Sequence, residues 1–296
     1  MSTEIANINE MSNAELMVLA GMTSDMEAGG GGSSLPRLRL YQKPIMGEVE
    51  VKGKKKKMEI IEAGAYRLQV EEDVYFATTC RINIYSQYYM YKRYVSDDEA
   101  SYYIRTIMAD GFKYDLKDTE GGFNCGRPSG YVKDWDALDP STKKIMQDTK
   151  RVREVFGVVT LEDPVDAEGN PVEVAPTPFA WDVQNNTMFK DLGKVTKEAG
   201  LMKRPTFTID IICGDANEHE MNNGDCYYTA PFELDKKSSV PVTEETIELM
   251  NNFKEYVAVY NANIDEKFNA KNVERMDDVD NELVDDFIDV EDVEVA

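Results

Sequence analysis

Alternation with a period of two dominates the centre of the chain. From Val74 to Tyr94, one side of an extended strand carries Phe76, Thr78, Cys80, Ile82, Ile84, Ser86, Tyr88 and Met90, and the other carries Arg81, Asn83, Tyr85, Gln87, Tyr89, Tyr91 and Arg93. The first set is mainly apolar and predicts a core-facing surface, while the second projects rings, amides and guanidiniums together. Leu35 to Tyr41 alternates in the same way after Pro36, which places Arg37 and Arg39 on one face. Further strands are predicted at Tyr102–Met108, Val152–Leu161, Phe179–Val183 and Thr206–Ile212, with a weaker one at Tyr227–Leu234.

A helical period replaces the alternation at three places in the body. Asp139-Pro140 is a cap and first turn for a helix through Ser141 to Lys150. Thr187 is a cap for a helix that puts Met188, Leu192, Val195 and Ala199 on one side and ends at Gly200. Thr243 to Phe268 carries a stripe of Ile247, Met250, Val257, Tyr260, Ile264 and Phe268. The resulting organisation is a short helix and flexible Gly/Ser linker over 1–34, a strand-rich body over 35–240 with an insertion near 109–150, a C-terminal helix over 241–271, and a disordered acidic tail over 272–296. The expected class is mixed and mainly β. A closed or nearly closed small barrel with helical insertions suits this order better than a doubly wound sheet, which needs regular parallel strand and crossover units.

Charge changes the picture because it is unevenly placed. The 296 residues carry 33 bases and 56 acids, a net charge of -23. Residues 35 to 95 nevertheless hold 12 bases against seven acids, whereas residues 241 to 296 hold four bases against 17 acids. Lys54, Lys55, Lys56 and Lys57 predict an exposed basic loop, since consecutive ammoniums cannot all be packed, and such a loop attracts polyanions. Tyr85, Tyr89 and Tyr91, edged by Arg81 and Arg93, are candidates for stacking unpaired bases, with the lysine run, Arg37 and Arg39 for the phosphates. The acidic terminal segment is a candidate interaction tail that also competes for the basic groove within the same chain.

Other chemistry has little support. No GxxxxGK[ST] or dinucleotide fingerprint is present, and His219 is the only histidine, flanked by Glu218 and Glu220. Asp182, Asp210, Asp215 and Asp225 are possible ligands for a phosphoryl-transfer metal, but no compact motif singles them out. Cys213, His219 and Cys226, with the distant Cys125, lack the tight paired spacing of a structural zinc site, so the four cysteines read as separate thiols. Neither a cofactor nor catalysis is expected. The N-terminus lacks the basic end and apolar stretch of a signal peptide, and no apolar run is long enough for a membrane span.

Several short pieces in order, Leu35-Pro36-Arg37-Leu38, the strand around Ile84 with Tyr88-Tyr89, a Gly-rich middle with Cys125, Arg151-Val152, Pro178-Phe179, Asp182-Val183, Met188-Phe189-Lys190 and Phe207 to Ile212, resemble tailed-bacteriophage single-stranded DNA-binding proteins of the oligonucleotide/oligosaccharide-binding (OB) fold. The resemblance covers roughly residues 35 to 215 and implies an OB-fold-like barrel that coats single-stranded DNA in replication, recombination or repair, in the cytoplasm of an infected bacterial host. It adds Lys190 to the phosphate contacts and supports Arg37, Arg39, Tyr89 and Tyr91. The segment Asp285-Asp286-Phe287-Ile288-Asp289 resembles the acidic, Phe-containing tails of such proteins, which implies docking of a phage DNA polymerase, helicase-primase or recombination protein. A homo-oligomer is compatible with this role. The competing expectation is a virion or assembly protein whose aromatic face meets another protein.

Overall fold

A computed structural model describes residues 35–51, 54–96, 101–130 and 132–288, with the backbone alone at 48–51, 54–55 and 276–288. The N-terminal helix and linker expected over 1–34 lie outside the described residues. The chain divides into two compact units, Met1–Tyr88 with Val152–Val259 and Tyr89–Arg151 with Tyr260–Ala296. Thirteen strands are described: β1 (Arg37–Leu40), β2 (Ile45–Val51), β3 (Lys54–Ile61), β4 (Tyr66–Val70), β5 (Asp73–Ala77), β6 (Thr79–Ser96), β7 (Ser101–Arg105), β8 (Thr149–Glu162), β9 (Thr177–Val183), β10 (Ile211–Cys213), β11 (Asn217–Glu220), β12 (Cys226–Thr229) and β13 (Phe232–Leu234). The α-helices among the described residues are α1 (Pro140–Asp148), α2 (Asn186–Leu201) and α3 (Glu244–Ile288). None of them is long and apolar enough to cross a membrane.

In the first unit the strands run β13-β10-β6-β8-β9-β1-β4-β5, with β1 parallel to β9 and the pairs β10–β13, β6–β10, β8–β9, β1–β4 and β4–β5 antiparallel. Cys80, Ile82 and Ile84 of β6 are fully buried, as the alternation requires, and share a core with Leu38, Phe179 and Trp181. Met188, Leu192, Val195 and Ala199, the stripe of α2, are buried in that core. Gly157 in β8 is needed for close approach to β6, because a Cβ there would sit 2.0 Å from the Asn83 carbonyl oxygen.

This arrangement corrects the expected OB-fold-like barrel and, with it, the OB-fold family resemblance. The nine-stranded sheet, counting β7 on β6, is open among the described residues, and its path ends at β13 on one side and β5 on the other. The physical reason is α2. A sheet must cover its apolar face, and here a helix layer does so instead of closure of the sheet on itself. The fold is a mixed α/β sheet with helices.

Smaller expectations also change. The strand expected from Val74 to Tyr94 is interrupted at Thr78, between β5 and β6. Thr206–Thr208 is a 3-10 turn leading to β10. The lysine run is no loop: it opens β3, whose backbone pairs with β2 in the register Glu48↔Lys57 and Glu50↔Lys55. Asn185, not Thr187, caps α2, its side chain accepting from the backbone N–H groups of Thr187 and Met188.

In the second unit the C-terminal half of β6 pairs with β7. The Gly- and Asp-rich insertion that follows is ordered by two side chains. Buried Asp118 accepts from the backbone N–H groups of Glu120, Gly122 and Cys125 at 3.0, 2.9 and 3.0 Å. Buried Asn124 accepts from Leu116 N–H at 2.9 Å and donates to Asp115 at 2.7 Å. The later turns of α3 hold the same insertion: Asn261 bonds both backbone groups of Met108, and Lys117 pairs with Asp265 at 2.8 Å. Asp139 caps α1 as expected, accepting from Thr142 N–H at 2.9 Å.

Candidate nucleic-acid interface

The rings proposed for stacking are engaged inside their own units. Tyr85 is half-buried against Phe207 and Phe253, with ring centroids 5.8 and 6.0 Å away. Tyr89 and Tyr91 both contact Phe112, at 5.6 and 4.6 Å. Burial raises the Tyr91 phenol above its ordinary range, against the opposing pull of Arg127 and Arg151. Each ring therefore has less open face than an unpaired strand surface offers.

The guanidiniums divide by partner. Arg37 donates to Glu154 at 2.8 Å, Asp182 at 3.3 Å and the Tyr256 hydroxyl at 2.9 Å. Burial opposes its charge, but these neighbours outweigh burial and hold it protonated. Arg81 is shared among Glu162 at 2.8 Å, Asp235 at 3.3 Å and Asp210 at 3.8 Å. A phosphate must compete with those carboxylates at both residues. Arg39 is exposed on the same face of β1, directly opposite Arg67. Lys56 and Lys57 are exposed on β3, whereas the side chains of Lys54 and Lys55 lie outside the described residues. Lys190 is exposed on α2. Asp285, Asp286, Phe287 and Ile288 fall in α3, with side chains outside the described residues, and Asp289 lies outside them entirely.

A different constellation is assembled in the second unit by the register of β6 and β7. Lys92 stands opposite Arg105, Tyr94 opposite Tyr103 and Ser96 opposite Ser101. Antiparallel partners share a face, so these six side chains line one surface of the hairpin. The Tyr94 and Tyr103 rings are 5.0 Å apart and are 49% and 48% exposed. Lys92 Nζ lies 4.7 Å from the Tyr103 ring centroid, and the Arg105 guanidinium 5.8 Å. The reverse side of the hairpin is anchored by buried Ile104, whose carbonyl accepts from the Cys125 thiol at 3.5 Å.

No family model, curated protein or solved structure matches this chain.

Beside the ring pair, Arg93, Tyr94 and Ser96 of β6, Ser141 and Lys144 of α1 and Lys150 of β8 line a cleft of about 560 Å³, which Asp148 also borders. Arg93 also lines this cleft, although the alternation of β6 puts it on the face opposite Tyr94, with Ile104 as its ladder partner. The chemistry is that of a platform for a flat π-system with cations around its rim. Tyr94, Tyr103, Lys92 and Arg105 escaped the reading of β6 alone because the site needs two strands. Its signal in the sequence is the mirrored spacing Lys92-x-Tyr94 and Tyr103-x-Arg105 about the acidic Asp97-Asp98-Glu99 break.

Among the described residues no three His, Cys, Asp or Glu side chains come together to hold a metal ion. Cys80 and Cys213 are buried opposite each other on β6 and β10. His219 stacks on Tyr227, with ring centroids 4.9 Å apart, and shares a 2.8 Å hydrogen bond with the Thr229 hydroxyl.

Proposed function

We propose that this protein is a non-enzymatic binder of single-stranded nucleic acid and that the β6–β7 hairpin, rather than Tyr85, Tyr89 and Tyr91, supplies its stacking surface. The observation that carries the reading is the exposed Tyr94–Tyr103 pair with Lys92 and Arg105 beside it. Unpaired bases offer a π-face whatever their identity, so two accessible rings favour sequence-tolerant binding, and the adjacent cations favour a polyanion over a neutral partner. Binding of the unpaired state shifts duplex melting by mass action without fuel or a catalytic centre. Such a protein acts where strands are exposed inside a replicating cell. The acidic C-terminal segment would then serve partner proteins, a part of the proposal that stands on the sequence.

The test is a fluorescence anisotropy titration of a labelled, unpaired 20-to-40-mer, run as DNA and as RNA over a salt series. Salt-sensitive binding that weakens in Tyr94→Ala and Tyr103→Ala is the expected result. Absence of salt-sensitive binding by the parent chain, including a form lacking residues 272–296, rejects the reading in favour of a protein-interaction surface.

A further inference from the structure

We infer that the cleft beside the ring pair is the phosphate-holding half of the site, taking the phosphodiester of a nucleotide whose base lies on Tyr94 and Tyr103. The inference rests on the proposed binding of single strands and adds where the backbone goes.

The first ground is an uncompensated charge. Arg37 and Arg81 each have carboxylates within 4 Å, but Arg93 has none among the described residues, and its Nε is buried without a hydrogen-bond partner. A buried guanidinium donor left unpaired is costly, and an anion repays that cost. Asp118 and Glu120 border a second cavity with Arg93, and the two oxygens of Asp118 accept from three backbone N–H groups.

The second ground is convergence. Lys144 of α1 and Lys150 of β8, on adjoining elements, line the same cleft as Arg93 of β6, so three cations come together against the single carboxylate of Asp148 among the described lining, with Lys150 also donating to the Gln147 carbonyl at 2.9 Å. The hydroxyls of Ser96 and Ser141 supply neutral donors at the same place. This donor set matches a phosphate diester, with a planar fork for two oxygens and ammoniums for diffuse charge.

The third ground is continuity. Tyr94 is both a wall of the cleft and one of the two exposed rings. A base on that ring therefore carries its own backbone to the cleft mouth, which links stacking and charge in one nucleotide.

The experiment uses the full chain and labelled dT20 over a salt series, comparing the parent with Arg93→Gln, Lys144→Gln, Arg93→Lys and, as a control on the first unit, Lys197→Gln at an exposed position of α2. The expected result is an affinity loss of about tenfold for Arg93→Gln. The slope of log affinity against log salt should become shallower by about 0.7 for each contact removed. Arg93→Lys should recover most of the slope, because the charge is retained, and Lys197→Gln should match the parent. If Arg93→Gln and Lys144→Gln keep the parental affinity and slope while Tyr103→Ala weakens binding, the cleft is not the backbone site although single-strand binding stands. If slope is lost equally in Lys197→Gln, the effect is general charge and the cleft assignment is overturned. Failure of the parent to bind overturns the underlying reading as well.

Discussion

Tyr94 and Tyr103 face each other across the β6–β7 ladder with ring centroids 5.0 Å apart, and both remain about half exposed. The two rings are tilted by 54° to each other and present a partly exposed aromatic surface on the hairpin. Replacing Tyr103 by Ala removes one ring and the contact with Lys92 and Arg105. Affinity for an unpaired oligonucleotide should fall by about 1 to 3 kcal/mol, and the loss should persist at high salt, where phosphate contacts are screened. Anisotropy titration at two salt concentrations checks this, and equal affinity of variant and parent at high salt removes Tyr103 from the site.

The carboxyl of Glu154 makes the stability of the first unit depend on pH. Its side chain is 1% exposed and lies opposite Asp182 in the β8–β9 register. Burial pushes it well above the ordinary glutamate value of 4.5, the Asp182 charge adds to this, and Arg37 opposes it. The folded chain thus holds a proton that the unfolded chain releases once pH exceeds about 4.5. Stability should fall as pH rises from there through the raised native value. Glu154→Gln keeps an oxygen for Arg37 and has no proton to lose, so its stability should decline less over that interval. Urea melts at successive pH values measure the difference, and parallel curves would exclude Glu154 as the titrating group.

Asp118 is expected to be the residue on which the insertion depends. Asp118→Ala leaves the N–H groups of Glu120, Gly122 and Cys125 without their acceptor. The cost should be about 2 to 4 kcal/mol, with Asp118→Asn milder because one carbonyl oxygen remains. Denaturant unfolding provides the number. A variant as stable as the parent would mean that water replaces the carboxylate.

Gly157→Ala places a Cβ 2.0 Å from the Asn83 carbonyl oxygen, where backbone rather than a movable side chain must yield. A destabilisation of about 3 kcal/mol is expected, seen as a lower melting temperature, and an unchanged one would show that β6 and β8 can separate locally.

Local chemistry was readable from the residues themselves. The alternation of Cys80, Ile82 and Ile84, the helix stripe of Met188, Leu192, Val195 and Ala199, and the Asp139 cap all depend on neighbours within a few positions, and each appears in the structure. What lay out of reach depends on residues far apart in sequence. Arg37 looked like an open cation until Glu154, 117 positions away, was placed beside it. Tyr85 meets Phe207 and Phe253 for the same reason. Barrel closure belongs to this class too, since period-two patterning says which face needs cover but not whether a helix or another strand supplies it.

Lys92 resting over the Tyr103 ring means that the platform is already occupied before any ligand arrives. In the proposed complex, a base arriving on Tyr103 would replace the ammonium at the ring, and Lys92 would then lie beside the backbone of the same strand, so that binding would involve exchange as well as addition.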